Sequence, residues 1–189
     1  MEASTTLLSI LAALGLAAAC GFRVFVPLFV VSLASRAGYL DLSSGFAWLG
    51  STPALVCFGT ATVIEVLAYY VPVVDNLLDS VATPAAVVAG IVVAAAVMTD
   101  IDPWLKWTLA TVAGGGLAAA VQIPTVALRG VSTGTTAGLG NALVSSGEVV
   151  AAGMFSGFAV FLPVLLPLLA LALVVLAWRR LRRDETAAA

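Results

Sequence analysis

Arg23 is the only charged residue between Glu2 and Arg36, in a stretch that is otherwise mostly apolar. A guanidinium does not shed its proton, and at the centre of a bilayer it costs about 2.5 to 3.5 kcal/mol on insertion scales. It therefore needs a partner or a wet cavity. Glu65, in TVIEVLAYY with no charge between it and Asp41, is the natural partner. Such a pair suits a proton or ion relay or a substrate site inside a helical bundle, and it equally suits a structural ion pair that fixes helix packing.

Asp75 and Asp79 in VDNLLD stand four positions apart, on one face if the segment is helical. Two carboxylates so placed at an outer interface can hold a divalent metal or form a solvated acidic face. The tract from Gly130 to Gly147, GVSTGTTAGLGNALVSSG, carries five glycines, six hydroxyl residues and no charge, and is bracketed by Arg129 and Glu148. That composition fits backbone that folds back to line a cavity, with Asn141 among its polar groups, or else a flexible connector. Ser145 and Glu148 have the spacing of a helix-capping box. Histidine is absent and Cys20 and Cys57 lie in apolar stretches, so neither a zinc site nor a disulfide is expected. No nucleophile elbow, phosphate loop or dinucleotide fingerprint occurs; no catalytic residue, resident metal or cofactor is expected.

The elements that must position these residues are apolar. With 62% hydrophobic residues and a mean hydropathy of +1.15, the 189-residue chain reads as one integral membrane domain, an all-α polytopic transmembrane bundle. About five segments are expected: Thr5 to Ala34, Pro53 to Val71, Pro84 to Thr99, Pro103 to Leu128, and Glu148 to Trp178. Thr52-Pro53, Thr83-Pro84 and Asp102-Pro103 read as helix starts, each a capping residue before proline. The first and last segments are long enough to be broken, at Gly21-Phe22-Arg23 and near Pro163 and Pro167.

Four of the eight basic residues, Arg179, Arg180, Arg182 and Arg183, cluster in the tail. Reading residues 179–189 as a cytoplasmic anchor in a cell membrane puts Lys106 and Arg36 inside as well, and the N-terminus outside. Trp48, Trp104, Trp107 and Trp178 then mark the inner interface and Tyr69 and Tyr70 the outer one. No basic stripe interleaved with aromatics points to nucleic acid. GLAAA occurs at Gly15 to Ala19 and again at Gly116 to Ala120, in segments this arrangement makes antiparallel, as an inverted repeat would.

GFRVFVPL, IEVLAYYVPVVDNLLD and STGTTAGLGNALVSSGE together resemble the bacterial membrane family known as domain of unknown function 4126, over almost the whole chain. The resemblance carries Arg23, Pro27, Glu65, Pro72, Asp75, Asp79, Asn141 and Glu148 over as signature positions and implies no activity. The chain departs from the pattern at Tyr69-Tyr70 and at Ala142.

The expected function is movement of a small solute, ion or lipid headgroup through a polar site in the bilayer. Arg23, Glu65, Arg129, Asn141 and Glu148 line that pathway, and Asp75 and Asp79 form an outer-interface site. The bundle is small, so a homo-oligomer is expected. The rivals are a non-transporting assembly or scaffold protein with a structural ion pair, and a metal-dependent lipid-phosphate enzyme using Asp75 and Asp79.

Overall fold

A computed structural model describes residues 2–136, 138–169, 171–172 and 175–176, and of residues 2, 72, 73, 75 and 76 only the backbone. Every regular element among them is helical: α1 (Glu2–Cys20), α2 (Phe25–Arg36), a 3-10 turn (Ser44–Gly50), α3 (Thr52–Ala68), α4 (Pro72–Val97), α5 (Pro103–Leu109), a π-helical stretch (Ala110–Gly115), α6 (Gly116–Thr136) and α7 (Asn141–Phe161). Four helices are long and apolar enough to cross a membrane: Ala3–Cys20, Leu77–Val97, Pro103–Thr136 and Asn141–Phe161. The bent pair Ser44–Gly50 and Thr52–Ala68, at 64° to one another, supplies a fifth if counted as one. The chain is an all-α membrane protein in contact with the lipid bilayer, as its composition predicts.

The first long apolar stretch is not one crossing. Its break, at residues 21–24 and so over the expected Gly21-Phe22-Arg23, folds it into a hairpin: Thr5, Leu8 and Ser9 of α1 border the same surface pocket as Tyr39 and Asp41 beyond α2 and Asp100 beyond α4. The end of the bundle that carries these residues is called the first face below. A Cβ at Gly21 would meet the Ala118 carbonyl at 2.5 Å and Val121 at 2.6 Å, so only glycine lets α1 end against α6. Pro27 is tolerated inside α2 because its position in the first turn needs no intrahelical N–H donor.

The hairpin brings the start of α1 and the residues that follow α2 to the same end of the bundle. The N-terminal end of α1 shares the first face with Arg36 and Lys106, because one crossing fewer precedes them. Trp48, Trp104 and Trp107, all exposed, lie on this face too, and the Phe46 and Trp107 rings meet at 6.1 Å. Trp178 and the basic tail lie outside the described residues. The two GLAAA copies also run the same way, not antiparallel: Ala17 of α1 and Ala118 of α6 both close on Gly90 of α4.

Helix starts follow the capping logic only in part. Asp102 accepts hydrogen bonds from the amides of Trp104 (2.9 Å) and Leu105 (3.4 Å) and starts α5 as expected. At α3 the cap is Ser51, accepting from Ala54, one residue before the expected Thr52. Pro84 starts nothing: α4 begins at Pro72, after an extended Val71, and runs through Pro84. The glycine-rich tract is also mostly helix. α6 continues to Thr136, Gly138 takes a positive φ of 88°, and α7 begins at Asn141, where the sequence suggested non-helical backbone. Glycine and hydroxyl residues fit this tip because they let two helices turn tightly, with Gly140 donating to Thr136 Oγ1 at 2.9 Å. After Phe161 the chain turns at Pro163, and Leu166 packs back against Gly15 of α1.

Candidate functional site

The ends of α1, α3 and the start of α2 meet the facing sides of α4, α6 and α7 around a buried polar cluster. At 1.5 Å per residue, the rise from Thr52 to Glu65 and from Phe161 back to Glu148 sets this cluster roughly 20 Å from the first face. That is less than the roughly 30 Å of a bilayer's hydrocarbon core.

Arg23 projects from the α1–α2 break with 1% of its side chain exposed, and its carboxylate partner is Glu148 of α7: Nη2 stands 3.0 Å from Glu148 Oε2. Nη2 also donates to the Oγ and the carbonyl of Ser145, one turn earlier on α7. Nε and Nη1 are buried and have no hydrogen-bond partner among the described residues. Arg129 of α6, equally buried, lies 2.9 Å from Asp79 Oδ1 of α4 and, through Nε, 3.4 Å from Glu148 Oε1. One carboxylate is thus shared by two guanidinium groups. Tyr69 lies beneath both: the Arg23 guanidinium carbon is 3.8 Å and that of Arg129 4.5 Å from its ring centroid. Stacking on an aromatic face helps hold two like charges in a desolvated site.

Glu65 is not the direct partner the sequence suggested. Its Oε1 accepts from the amide of Val24 at 2.8 Å and its Oε2 from that of Phe25 at 3.1 Å. Val24 has no side-chain cap of its own, so a carboxylate from α3 satisfies the first free amides of α2. Glu65 thereby fixes the break that aims Arg23 and attracts the guanidinium through space.

The predicted site residues divide accordingly. Arg23, Glu65, Arg129, Glu148 and Asp79 come together. Asp79 belongs to this cluster through Arg129, while the side chain of Asp75 lies outside the described residues. Asn141 is buried on the same stripe of α7 as Ser145 and Glu148, and its amide donates to Thr133 Oγ1 at 2.8 Å, closing the α6–α7 tip. The capping box does not form, because Ser145 and Glu148 lie inside α7 and face the arginines. Three contributors were missed. Tyr69, read as an interface anchor, is four positions from Glu65 and so shares its helix face. Ser145 carried a local capping explanation that hid its neighbour across the bundle. Gln122, buried on α6 seven positions before Arg129, extends the polar stripe of that helix.

Asp79 beside Arg129 is poorly disposed to a metal, because the guanidinium already neutralises it, and no group of three metal-ligating side chains occurs among the described residues. What the cluster offers chemically is two buried cations, three carboxylates and unused guanidinium N–H donors in a dry setting.

No curated protein and no solved structure matches the chain. A family model does, the one described as Domain of unknown function (DUF4126), over residues 10–183. Those residues hold α2 to α7, most of α1 and the entire polar cluster, and the chain belongs to that family.

Proposed function

We propose that this membrane protein moves a small solute, ion or lipid headgroup through the polar cluster of Arg23, Glu65, Arg129 and Glu148. The observation that carries the reading is Arg23 itself. It is almost completely buried at a helix break, and its Nε and Nη1 have no hydrogen-bond partner among the described residues. Buried N–H groups left without acceptors cost free energy that a purely structural site would have little reason to retain. Intramembrane ionisable side chains facing a bundle interior mark substrate and ion pathways. Breaks in membrane helices serve the same end, exposing backbone and side-chain dipoles at a binding site.

The test is flux through proteoliposomes containing the full chain, across a panel of small organic and inorganic ions. Wild type is expected to carry at least one of them, and Arg23→Lys, which keeps the charge but loses the fork of donors, is expected to lose most of that flux while remaining folded. Absence of flux across the panel with folded protein would sink the reading.

A scaffold role has one specific observation in its favour: Glu65 has a sufficient structural task in capping α2. Under that reading, exchanging the charges in Arg23→Glu with Glu148→Arg would restore folding and no variant would alter any flux.

A further inference from the structure

Glu148 occupies the place that a bound oxyanion would take. Its Oε2 faces Arg23 at 3.0 Å and its Oε1 faces Arg129 at 3.4 Å, so the two oxygens of one carboxylate bridge two guanidiniums stacked over one tyrosine ring. Paired arginines are the usual protein answer to carboxylate and phosphate groups, which they hold through charge-assisted, often bidentate hydrogen bonds. Here the seat is formed from three elements: the α1–α2 break, α6 and, through Tyr69, the end of α3. Its occupant comes from a fourth, α7. The donors Nε and Nη1 of Arg23, buried and without a partner among the described residues, show that Glu148 does not exhaust the seat.

Resting on the transport reading above, we propose that the cluster binds a small monovalent oxyanion, a carboxylate or phosphate group, in exchange for Glu148, and that Glu148 takes up one proton as the anion enters.

The charge balance favours the exchange. Glu148 faces Arg23 from the α1–α2 break and Arg129 from α6; around those two guanidiniums stand Asp79 from α4, Tyr69 and Glu65 from α3, and Ser145 on the helix of Glu148. With Glu148 ionised, two cations stand against three carboxylates. Protonating Glu148 and adding one monoanion leaves the same total, so the buried cluster changes occupant without changing charge. Either step alone changes the charge of a desolvated site, which is far more costly. Proton and anion therefore enter together, and the affinity of each depends on the other by the same factor.

The experiment is anion binding by calorimetry to the full-length protein in phosphatidylcholine nanodiscs, with acetate and inorganic phosphate as separate probes, from pH 5 to 8. A parallel arm uses nanodiscs containing phosphatidylglycerol, to distinguish a lipid phosphate from a free anion. For wild type, affinity counted against the monoanionic form of the bound probe is expected to rise about tenfold per unit fall in pH where Glu148 is ionised, with about one proton taken up by the protein per monoanion, as coupled binding of one proton requires. Glu148→Gln, close in size and unable to ionise, is expected to bind with little pH dependence and at least as tightly as wild type at low pH. Arg23→Gln is expected to weaken binding at least tenfold. A lipid phosphate that binds with the same dependence on Glu148 and Arg23 supports the proposal with the lipid as source. Binding without proton uptake, or binding unchanged in Arg23→Gln, would overturn it, and so would no binding of either probe or the lipid. Should Glu148→Gln fail to fold, wild-type proton uptake still decides. Coupled binding without flux would defeat the transport reading and leave this inference standing; flux with no anion binding would do the reverse.

Discussion

Between the first face and the depth of Arg23, the helices meet through small and apolar side chains. Ala17 and Ala118 close on Gly90, and Val93 to Met98 of α4 are almost wholly enclosed. Beyond that depth the same helices present Arg23, Glu65, Tyr69, Asp79, Arg129, Ser145 and Glu148 to one another. In a bilayer, helix association gains little from hydrophobicity, so the first half relies on close van der Waals approach. The second half relies on charges that have no solvent to return to. The contrast teaches that the dry half sets where the helices stand, and the polar half uses that rigidity to keep two arginines side by side.

The sharpest way to break the comparison is at Arg23. Arg23→Leu strands Glu148 with one cation instead of two and removes the donor to Ser145, so a loss of about 3 kcal/mol or more is expected from an incomplete buried ion cluster. Reversible unfolding in a mixed detergent series measures it. An unchanged unfolding transition would mean that the cluster carries no structural load, and that the dry half alone holds the bundle.

Gly90→Val probes the other half. A Cβ at Gly90 would stand 2.7 Å from that of Ala118 and 3.0 Å from the Gly114 carbonyl, contacts that force α4 and α6 apart. Overpacking of this kind is expected to cost about 1 to 3 kcal/mol. If the halves are separable as argued, the surviving folded protein binds anions with wild-type pH dependence. A change in that dependence would show that the dry half reaches into the site.

The membrane class and the polar residues were legible in the sequence because charges are scarce against an apolar background. Which charge meets which was not. Isolation of both charges in the sequence points to Glu65 as the partner of Arg23, but pairing in a bundle depends on which faces turn inward, and α7 buries Asn141, Ser145 and Glu148 on one stripe, with Ser145 and Glu148 against Arg23. Pro84 misled for a related reason. Proline marks a helix start only where the preceding residue is extended, a condition Val71 meets before Pro72, and it is tolerated inside membrane helices whose freed carbonyls find other partners. The hairpin of α1 and α2 was half legible: the break stood out at Gly21-Phe22-Arg23, but its direction depends on the packing of Gly21 against α6.

Glu65 joins the two halves, and its removal is expected to have an intermediate effect. Glu65→Gln keeps one acceptor oxygen but loses the charge and the second acceptor, leaving one of the Val24 and Phe25 amides without its partner, at about 1 to 2 kcal/mol. Hydrogen exchange at those two amides is the direct measurement. Faster exchange there, with α4 amides unaffected, would assign Glu65 to holding the break; protection equal to wild type would remove it from that role.

The smallest effect is expected at the first face, far from the cluster. Asp102 caps α5 through the Trp104 and Leu105 amides, both exposed, so Asp102→Ala is expected to cost about 1 kcal/mol and no more. Water can replace a lost cap at the surface, whereas nothing replaces a lost partner 20 Å or so deeper in the bundle. The ratio of the Asp102→Ala and Glu65→Gln losses, measured in one unfolding assay, therefore reports burial as much as hydrogen bonding. Equal losses would place both caps in similar surroundings, and the α2 start would then have to be wet.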